Sequence, residues 1–167
     1  MKRKIIDCEK CVGCKNCELA CMVVHSPDEN LHQAYREGGM AAVRARCKIE
    51  LTSGGRLFPE HCRHCREAQC LQACMSGALS RNEQDFVVCD AETCVGCFMC
   101  VMSCPFGAAR PATAGDRVMV KCDGCSDRTF PACVETCPTA CLTLGEEAGQ
   151  DDGVVYVNPP QPREACG

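Results

Sequence analysis

The 167-residue chain carries 18 Lys and Arg against 22 Asp and Glu, a formal net charge of −4. This balance excludes the basic surface that nucleic-acid binding needs, and the length suits one compact unit or two small lobes. Tryptophan is absent and aromatics make up only 4%, too few for a conventional core of this size, while 21 cysteines point to cross-links or to ligands for groups that fill the space.

In chain order, Met1-Lys2-Arg3-Lys4 is followed by only Ile5-Ile6 before Asp7. There is no apolar signal-peptide core, no small-residue cleavage site and no twin-arginine signal. No apolar stretch approaches the ~20 residues of a membrane span. The expected location is cytoplasmic, with any membrane association supplied by a partner. Lys4 to Asp7 reads as a short strand that turns into a first cysteine run, Cys11, Cys14, Cys17 and Cys21. Ser26 to Gly39 is polar and loop-like, with a helix around Asn30 to Arg36. Val43 to Leu51 alternates like a half-buried strand. With Thr52-Ser53-Gly54-Gly55 as a turn and Arg56-Leu57-Phe58-Pro59 beyond it, 43–58 reads as a β-hairpin insertion. It carries no catalytic set, so it is expected to serve as docking surface together with the loop at 22–40.

A second run follows at Cys62, Cys65, Cys70 and Cys74. Phe86-Val87-Val88 reads as a strand leading to a third run, Cys94, Cys97, Cys100 and Cys104, which ends in Pro105. The fourth run is Cys122, Cys125, Cys133 and Cys137, followed by Pro138. From Gly145 the chain is acidic and then Pro-rich; Val154 to Val157 is expected as an edge strand and the remainder as a flexible tail.

Two internal echoes organise these runs. Lys4 to Cys14 aligns with Val87 to Cys97, setting Asp7 over Asp90. Cys74 to Leu79 aligns with Cys137 to Leu142. The first echo reads as strand, turn and ligand loop, the second as the end of a short helix leading into a strand. The alignment also sorts the five spare cysteines. Cys8 lies over Ala91 and Cys141 over Ala78, so neither position demands a ligand. Cys47 and Cys89 sit in expected strands and Cys166 in the tail. All five read as buried or terminal thiols, because free cysteine packs as a small apolar residue.

The first and third runs have the two-, two- and three-residue gaps of bacterial ferredoxins, in which three cysteines hold one cubane and the fourth ligates another. Four runs predict four 4Fe–4S clusters. Each cubane with four thiolates carries roughly −2, which lowers the charge of the loaded protein to roughly −12. A disulfide scaffold fits poorly with an odd cysteine count and no leader. Zinc is the alternative at the second and fourth runs, whose gaps of four and seven are less standard, but the proline after Cys104 and Cys137 matches the ferredoxin ending. A Rieske centre would need two histidines in place of two cysteines. Every run keeps its four cysteines, so His25, His32, His61 and His64 read as surface residues or neighbours of ligands. Lys121, Arg110 and Arg63 read as ordinary charges with the capacity to tune a potential. There is no Gly-rich nucleotide loop, catalytic triad or paired carboxylate, hence no catalytic residue and no flavin, nicotinamide or molybdenum site. The apo-protein is expected to be largely unfolded.

The order and spacing of the runs resemble the four-cluster ferredoxin subunits of the dimethyl sulfoxide reductase beta-subunit type, over about residues 4–144. Within that group, Cys17-Glu18-Leu19-Ala20-Cys21 with His25-Ser26, Pro59-Glu60-His61-Cys62-Arg63-His64-Cys65, Met75-Ser76-Gly77-Ala78-Leu79 and Cys100-Val101-Met102-Ser103-Cys104-Pro105-Phe106-Gly107-Ala108 look like the iron–sulfur subunit of carbon monoxide dehydrogenase, the CooF type. The resemblance implies nested ligand sets. Cys11, Cys14 and Cys17 join Cys137; Cys122, Cys125 and Cys133 join Cys21; Cys62, Cys65 and Cys70 join Cys104; Cys94, Cys97 and Cys100 join Cys74. It further implies an α+β fold of two pseudo-symmetric ferredoxin-like double-cluster lobes with the hairpin inserted. The first lobe takes residues 1–56 and 112–144 and the second 57–111, with 145–167 as a tail. Leu57-Phe58-Pro59 and Arg110-Pro111 are expected to interrupt regular structure at the boundaries. The implied role is electron transfer without substrate turnover, from carbon monoxide dehydrogenase to a hydrogenase, a flavin oxidoreductase or another acceptor. Equivalent subunits of formate dehydrogenases, hydrogenases or aldehyde oxidoreductases are the alternative. An iron–sulfur redox regulator and a zinc-ribbon interaction protein are rivals of other classes, and the regulator lacks a visible DNA- or ligand-binding element.

Overall fold

Ile6 is wholly shielded from solvent at the centre of the largest sheet. Its strand, β1 (Arg3–Asp7), pairs antiparallel with the strand that closes the fourth cysteine segment and parallel with a late strand at Val154–Val157, the expected edge. The computed structural model describes residues 3–38, 44–52, 54–112 and 117–145, and the backbone of 154–157. Val43 and the tail with Cys166 lie outside the described residues.

After β1, the Asp7 side chain accepts a hydrogen bond from the Glu9 amide at 3.2 Å and turns the chain through a short 3-10 segment, Cys8–Lys10. The ligand loop then enters α1 (Asn16–Val24), whose buried face is Cys17 and Cys21, one turn apart. Helix α2 (Leu31–Gly38) forms where expected. Asn30 caps it, accepting from the Gln33 amide at 3.0 Å. The hairpin forms from β2 (Lys48–Leu51) and β3 (Leu57–Glu60), with Lys48 opposite Glu60 and Leu51 opposite Leu57. Thr52 closes its turn, since its hydroxyl accepts from the Arg56 amide at 3.1 Å and its amide donates to the Arg56 carbonyl at 2.8 Å. Next come α3 (Gln69–Gln72), β4 (Leu79–Arg81), β5 (Val87–Cys89) and α4 (Met99–Ser103). They are followed by β6 (Arg110–Pro111), β7 (Met119–Val120), α5 (Ala132–Glu135) and β8 (Leu142–Gly145). The late strand is β9 (Val154–Val157). The architecture is α+β, with short helices around small, mainly antiparallel sheets.

Two expectations need correction. The strand before the hairpin turn starts at Lys48, and its burial does not alternate: Lys48 and Ile49 are half-buried while Glu50 and Leu51 are exposed. Ile49 packs on the core around Ile6 while Glu50 and Leu51 beyond it face solvent, so burial falls along the strand instead of switching between faces. Leu57-Phe58-Pro59 and Arg110-Pro111 are not breaks, because both lie in strands, with Pro59 opposite Ile49 and Pro111 opposite Met119. Each belongs to a two-stranded ribbon, and a strand with one open edge tolerates a residue without an N–H.

The sequence echoes are also backbone echoes. The Asp90 side chain accepts from the Glu92 amide at 3.0 Å, as Asp7 does from Glu9. The Asp7 amide donates to the Cys141 carbonyl at 2.9 Å and the Asp90 amide to the Ala78 carbonyl at 2.8 Å. Gly13 and Gly96 share φ +68°, the left-handed conformation that suits a residue without Cβ. Helix α1 packs on α5, and α3 on α4. The buried core between these elements is unusually rich in thiols: around Ile6 and Leu142 it consists of Cys8, Cys17, Cys133 and Cys141.

Candidate metal centres

The loop after β1 bends at Gly13 and again at Lys15, φ +61°, and carries Cys11 and Cys14 to one wall of a small cavity. Cys17, from the first turn of α1, and Cys137, beyond α5, complete that wall, with Ile49, Pro59 and Leu142 among the apolar lining. Three cysteines of the first run and one of the fourth therefore face one space, although 120 residues separate Cys17 from Cys137. Cys141 lines the same cavity. The Cys14 thiol is at the surface.

A second small cavity is lined by Cys62, Cys65, Cys70 and Cys104, together with His64, Phe106 and Lys121. Arg63 stacks over the Phe106 ring at 3.6 Å. Cys74, Cys94 and Cys100 pack in the core that also holds Cys65, Cys70 and Cys104, and Cys97 of the same run is exposed. The remaining cysteines meet by their mutual fields. Burial, and then the negative charge of Cys122 and Asp123 and of Cys133, pushes the Cys125 thiol up to about 12. Burial also raises Cys133 to about 11, with Cys122 and Cys21 adding to the effect against Lys4. Cys122 goes the other way. Burial works to raise it, but Lys4 and His61 outweigh that and hold it at about 6.

The surroundings suit thiolate ligands. Backbone amides point at sulfur, Arg46 N–H at Cys21 Sγ (3.2 Å) and Gly124 N–H at Cys122 Sγ (3.4 Å). No disulfide forms among the described cysteines, and Cys8, Cys47 and Cys141 are buried free thiols, as expected. Cys89 in β5 is half-buried. His32 lies at the surface, whereas His61 and His64 are buried. His64 Nδ1 accepts from the Val87 amide at 3.1 Å, and His61 Nδ1 accepts from Lys4 at 3.3 Å. His25, Asp123 and Cys125 each bring a ligand-type atom within 4.8 Å of the others. The first two are already engaged, since His25 bonds Asp123 and the Cys21 carbonyl, and Asp123 also pairs with Arg46. This His25–Asp123–Arg46 group beside Cys21 had no legible signal in the sequence. Lys4 did have one. It shares a strand face with Ile6 two residues on, and period two puts it inside.

Residues 54–147 match the model of the 4Fe-4S dicluster domain. The chain belongs to the 4Fe-4S dicluster family. Among curated relatives, the probable anaerobic dimethyl sulfoxide reductase subunit YnfG of Escherichia coli (strain K12) is 36% identical over 166 residues, covering 95% of this chain and 80% of that protein. The B subunit of anaerobic dimethyl sulfoxide reductase from the same organism is 35% identical over 167 residues, with the same coverage. Its electron transport protein HydN is 34% identical over 158 residues, covering 85% of this chain and 87% of that one. The cofactor of this dicluster protein is thus of the 4Fe–4S type, and the thiol-lined cavities fit it by donor chemistry. Among the described residues, no helix is long and apolar enough to cross a membrane.

Proposed function

We propose that the chain is an electron-transfer subunit with four 4Fe–4S sites arranged in a line and no substrate turnover of its own. The sixteen run cysteines are the iron ligands in the nested sets, Cys11, Cys14, Cys17 and Cys137; Cys21, Cys122, Cys125 and Cys133; Cys62, Cys65, Cys70 and Cys104; and Cys74, Cys94, Cys97 and Cys100. The observation that carries this reading is the composition of the two cavities. Each brings three cysteines of one run together with one from another run, Cys137 in the first, where the spare thiol Cys141 also lines the wall, and Cys104 in the second. Cys62 also packs with Cys122 in one buried group, so the second and third sites adjoin, and α1 carries Cys17 and Cys21 of the first and second. Bound 4Fe–4S groups supply one-electron redox capacity. The chain's own residues hold them in line, shield the inner two, and leave Cys14 and Cys97 at the surface of the outer two. Two double-cluster lobes follow, 1–56 with 112–144, and 57–111.

The partner in this reading is carbon monoxide dehydrogenase, with a hydrogenase or flavin oxidoreductase as acceptor. A second reading replaces it by a different oxidoreductase. It is favoured by the relatives named as dimethyl sulfoxide reductase subunits. Anaerobic affinity isolation of the full-length protein, with mass spectrometry of bound proteins and metal analysis, tests both. About 16 iron and 16 acid-labile sulfides per chain are expected. Saturation at two clusters overturns the four-site arrangement, and the co-isolated catalytic subunit decides the partner.

A further inference from the structure

Two lysines are buried where the second and third sites adjoin. Lys4 is 6% exposed and Lys121 4%. Lys4 reaches in from β1, its Nζ 3.8 Å from Cys122 Sγ and 3.3 Å from His61 Nδ1. Lys121 lines the Cys62 cavity; its Nζ donates to the Val87 carbonyl and, at 3.0 Å, to the Cys122 carbonyl. One ammonium thus faces the set of Cys122 and the other the set of Cys62. Among the described residues neither is in an ion pair with a carboxylate. A buried charge needs a counter-charge, and the charges on offer are sulfur ligands and the electrons they surround. The outer sites differ. Lys15 lies in the ligand loop of the first, and Arg117 beside Gly96 in that of the fourth, but both are exposed, where solvent and salt screen them.

We propose that Lys4 and Lys121 raise the reduction potentials of the two inner 4Fe–4S sites above those of the outer two. The inference rests on the four-site reading. Reduction adds one electron and one negative charge to a site, with no proton transferred and no bond made or broken. Burial alone disfavours the more negative reduced form, so without the lysines the inner sites are the hardest to reduce. A buried cation acts in a low dielectric and favours that form more strongly than an exposed one. The lysines therefore reverse the order, and an electron arriving from either end comes to rest in the middle of the chain. Hydrogen bonding and net charge are established levers on such potentials; the geometry assigns them here to two residues outside every cysteine run.

The test uses the full-length protein loaded anaerobically, with iron and sulfide measured before an electron-paramagnetic-resonance redox titration. Lys4→Met and Lys121→Met each lower the reduction equilibrium constant of one inner site by about tenfold, about 59 mV for a one-electron couple. Lys4→Arg and Lys121→Arg, which keep the charge, restore most of it. Lys48→Met, which removes a charge from the hairpin, shifts nothing. Full iron with unchanged potentials in both Met variants overturns the proposal. So does an equal shift in the Lys48 variant. Loss of iron from both Met variants and both Arg variants also overturns it, because the lysines are then structural props. Wild-type iron well short of about 16 instead fails the four-site reading before any potential is measured.

Discussion

The Cys11 cavity and the Cys62 cavity are built alike and walled differently. The first is walled by Ile49, Pro59 and Leu142, its one lysine, Lys15, is exposed, and it reaches the surface at Cys14. The second keeps Cys62 buried and is walled in part by Lys121 and His64, both buried. An apolar wall with one thiol at the surface suits exchange of electrons with another protein, because the cofactor edge comes close to a docked partner. A wall with a buried ammonium, that of Lys121, suits retention. The same thiol scaffold thus takes its individual character from residues outside the cysteine runs.

The largest expected effect erases the comparison altogether. Around Ile6 the buried core is Cys8, Cys17, Cys133, Cys141 and Leu142, so removing iron leaves both cavities hollow and their walls without the groups that tie them together. Anaerobic chelation is expected to abolish cooperative thermal unfolding and most of the circular-dichroism signal of the native protein. A chelated chain that still melts cooperatively near the native temperature would mean that the polypeptide holds the walls by itself. Cys104→Ser attacks one cavity only. It is expected to lose about 4 iron per chain from the second cavity. Cys8→Ala, at a spare thiol that lines neither cavity, keeps full iron. Equal losses in the two variants would contradict the assignment of Cys104.

A finer contrast comes from the echoed ligand loops. Gly13 and Gly96 share φ +68°, so alanine at either position carries left-handed strain of about 1–2 kcal/mol. Beyond that the sites diverge. A Cβ on Gly96 would lie 2.1 Å from the Arg117 carbonyl oxygen, a backbone atom, whereas one on Gly13 would meet the Leu57 side chain at 3.0 Å. Leu57 has rotamers to retreat into, and the backbone at Arg117 does not. Gly96→Ala is therefore expected to destabilise the loaded protein by several kcal/mol and to impair iron retention, with Gly13→Ala milder by roughly half. Thermal melts of the two loaded variants check this, and equal loss would mean that φ alone decides.

What was legible followed from spacing and period. Cysteine gaps exposed the runs, the aligned Asp7 and Asp90 exposed paired turns that both form, and β1, β5 and the hairpin followed from apolar runs around Gly-containing turns. What was not legible depends on contacts between distant segments. Asp123 meets His25 and Arg46 only because the fourth run returns to α1. The strands at Pro59 and Pro111 escape the usual rule against proline because each ribbon has only two strands. The burial of Lys4 was legible from its alternation with Ile6 in the expected strand, but its position beside Cys122 and His61 was not.

The smallest structural effect, and the most direct probe of docking, concerns the hairpin. Ile49 and Pro59 at its base line the Cys11 cavity, while Leu51 near its tip is 69% exposed. Its base therefore belongs to the first cavity wall and its tip does not. Replacing Thr52 to Gly55 with a longer polar loop adds only about 0.6 kcal/mol of closure cost for a doubling in length. Iron content and melting temperature are expected to stay near wild type. If the tip docks against carbon monoxide dehydrogenase, carbon-monoxide-dependent reduction at limiting concentrations falls roughly tenfold, the effect of losing about 1.4 kcal/mol at an interface. Dithionite reduction, which needs no docking, does not change. Unaltered reduction by the enzyme would reduce the hairpin to a cover over the Cys11 cavity, a packing role common for surface loops. The exposed thiol edge at Cys14 would then be the better place to look for the contact.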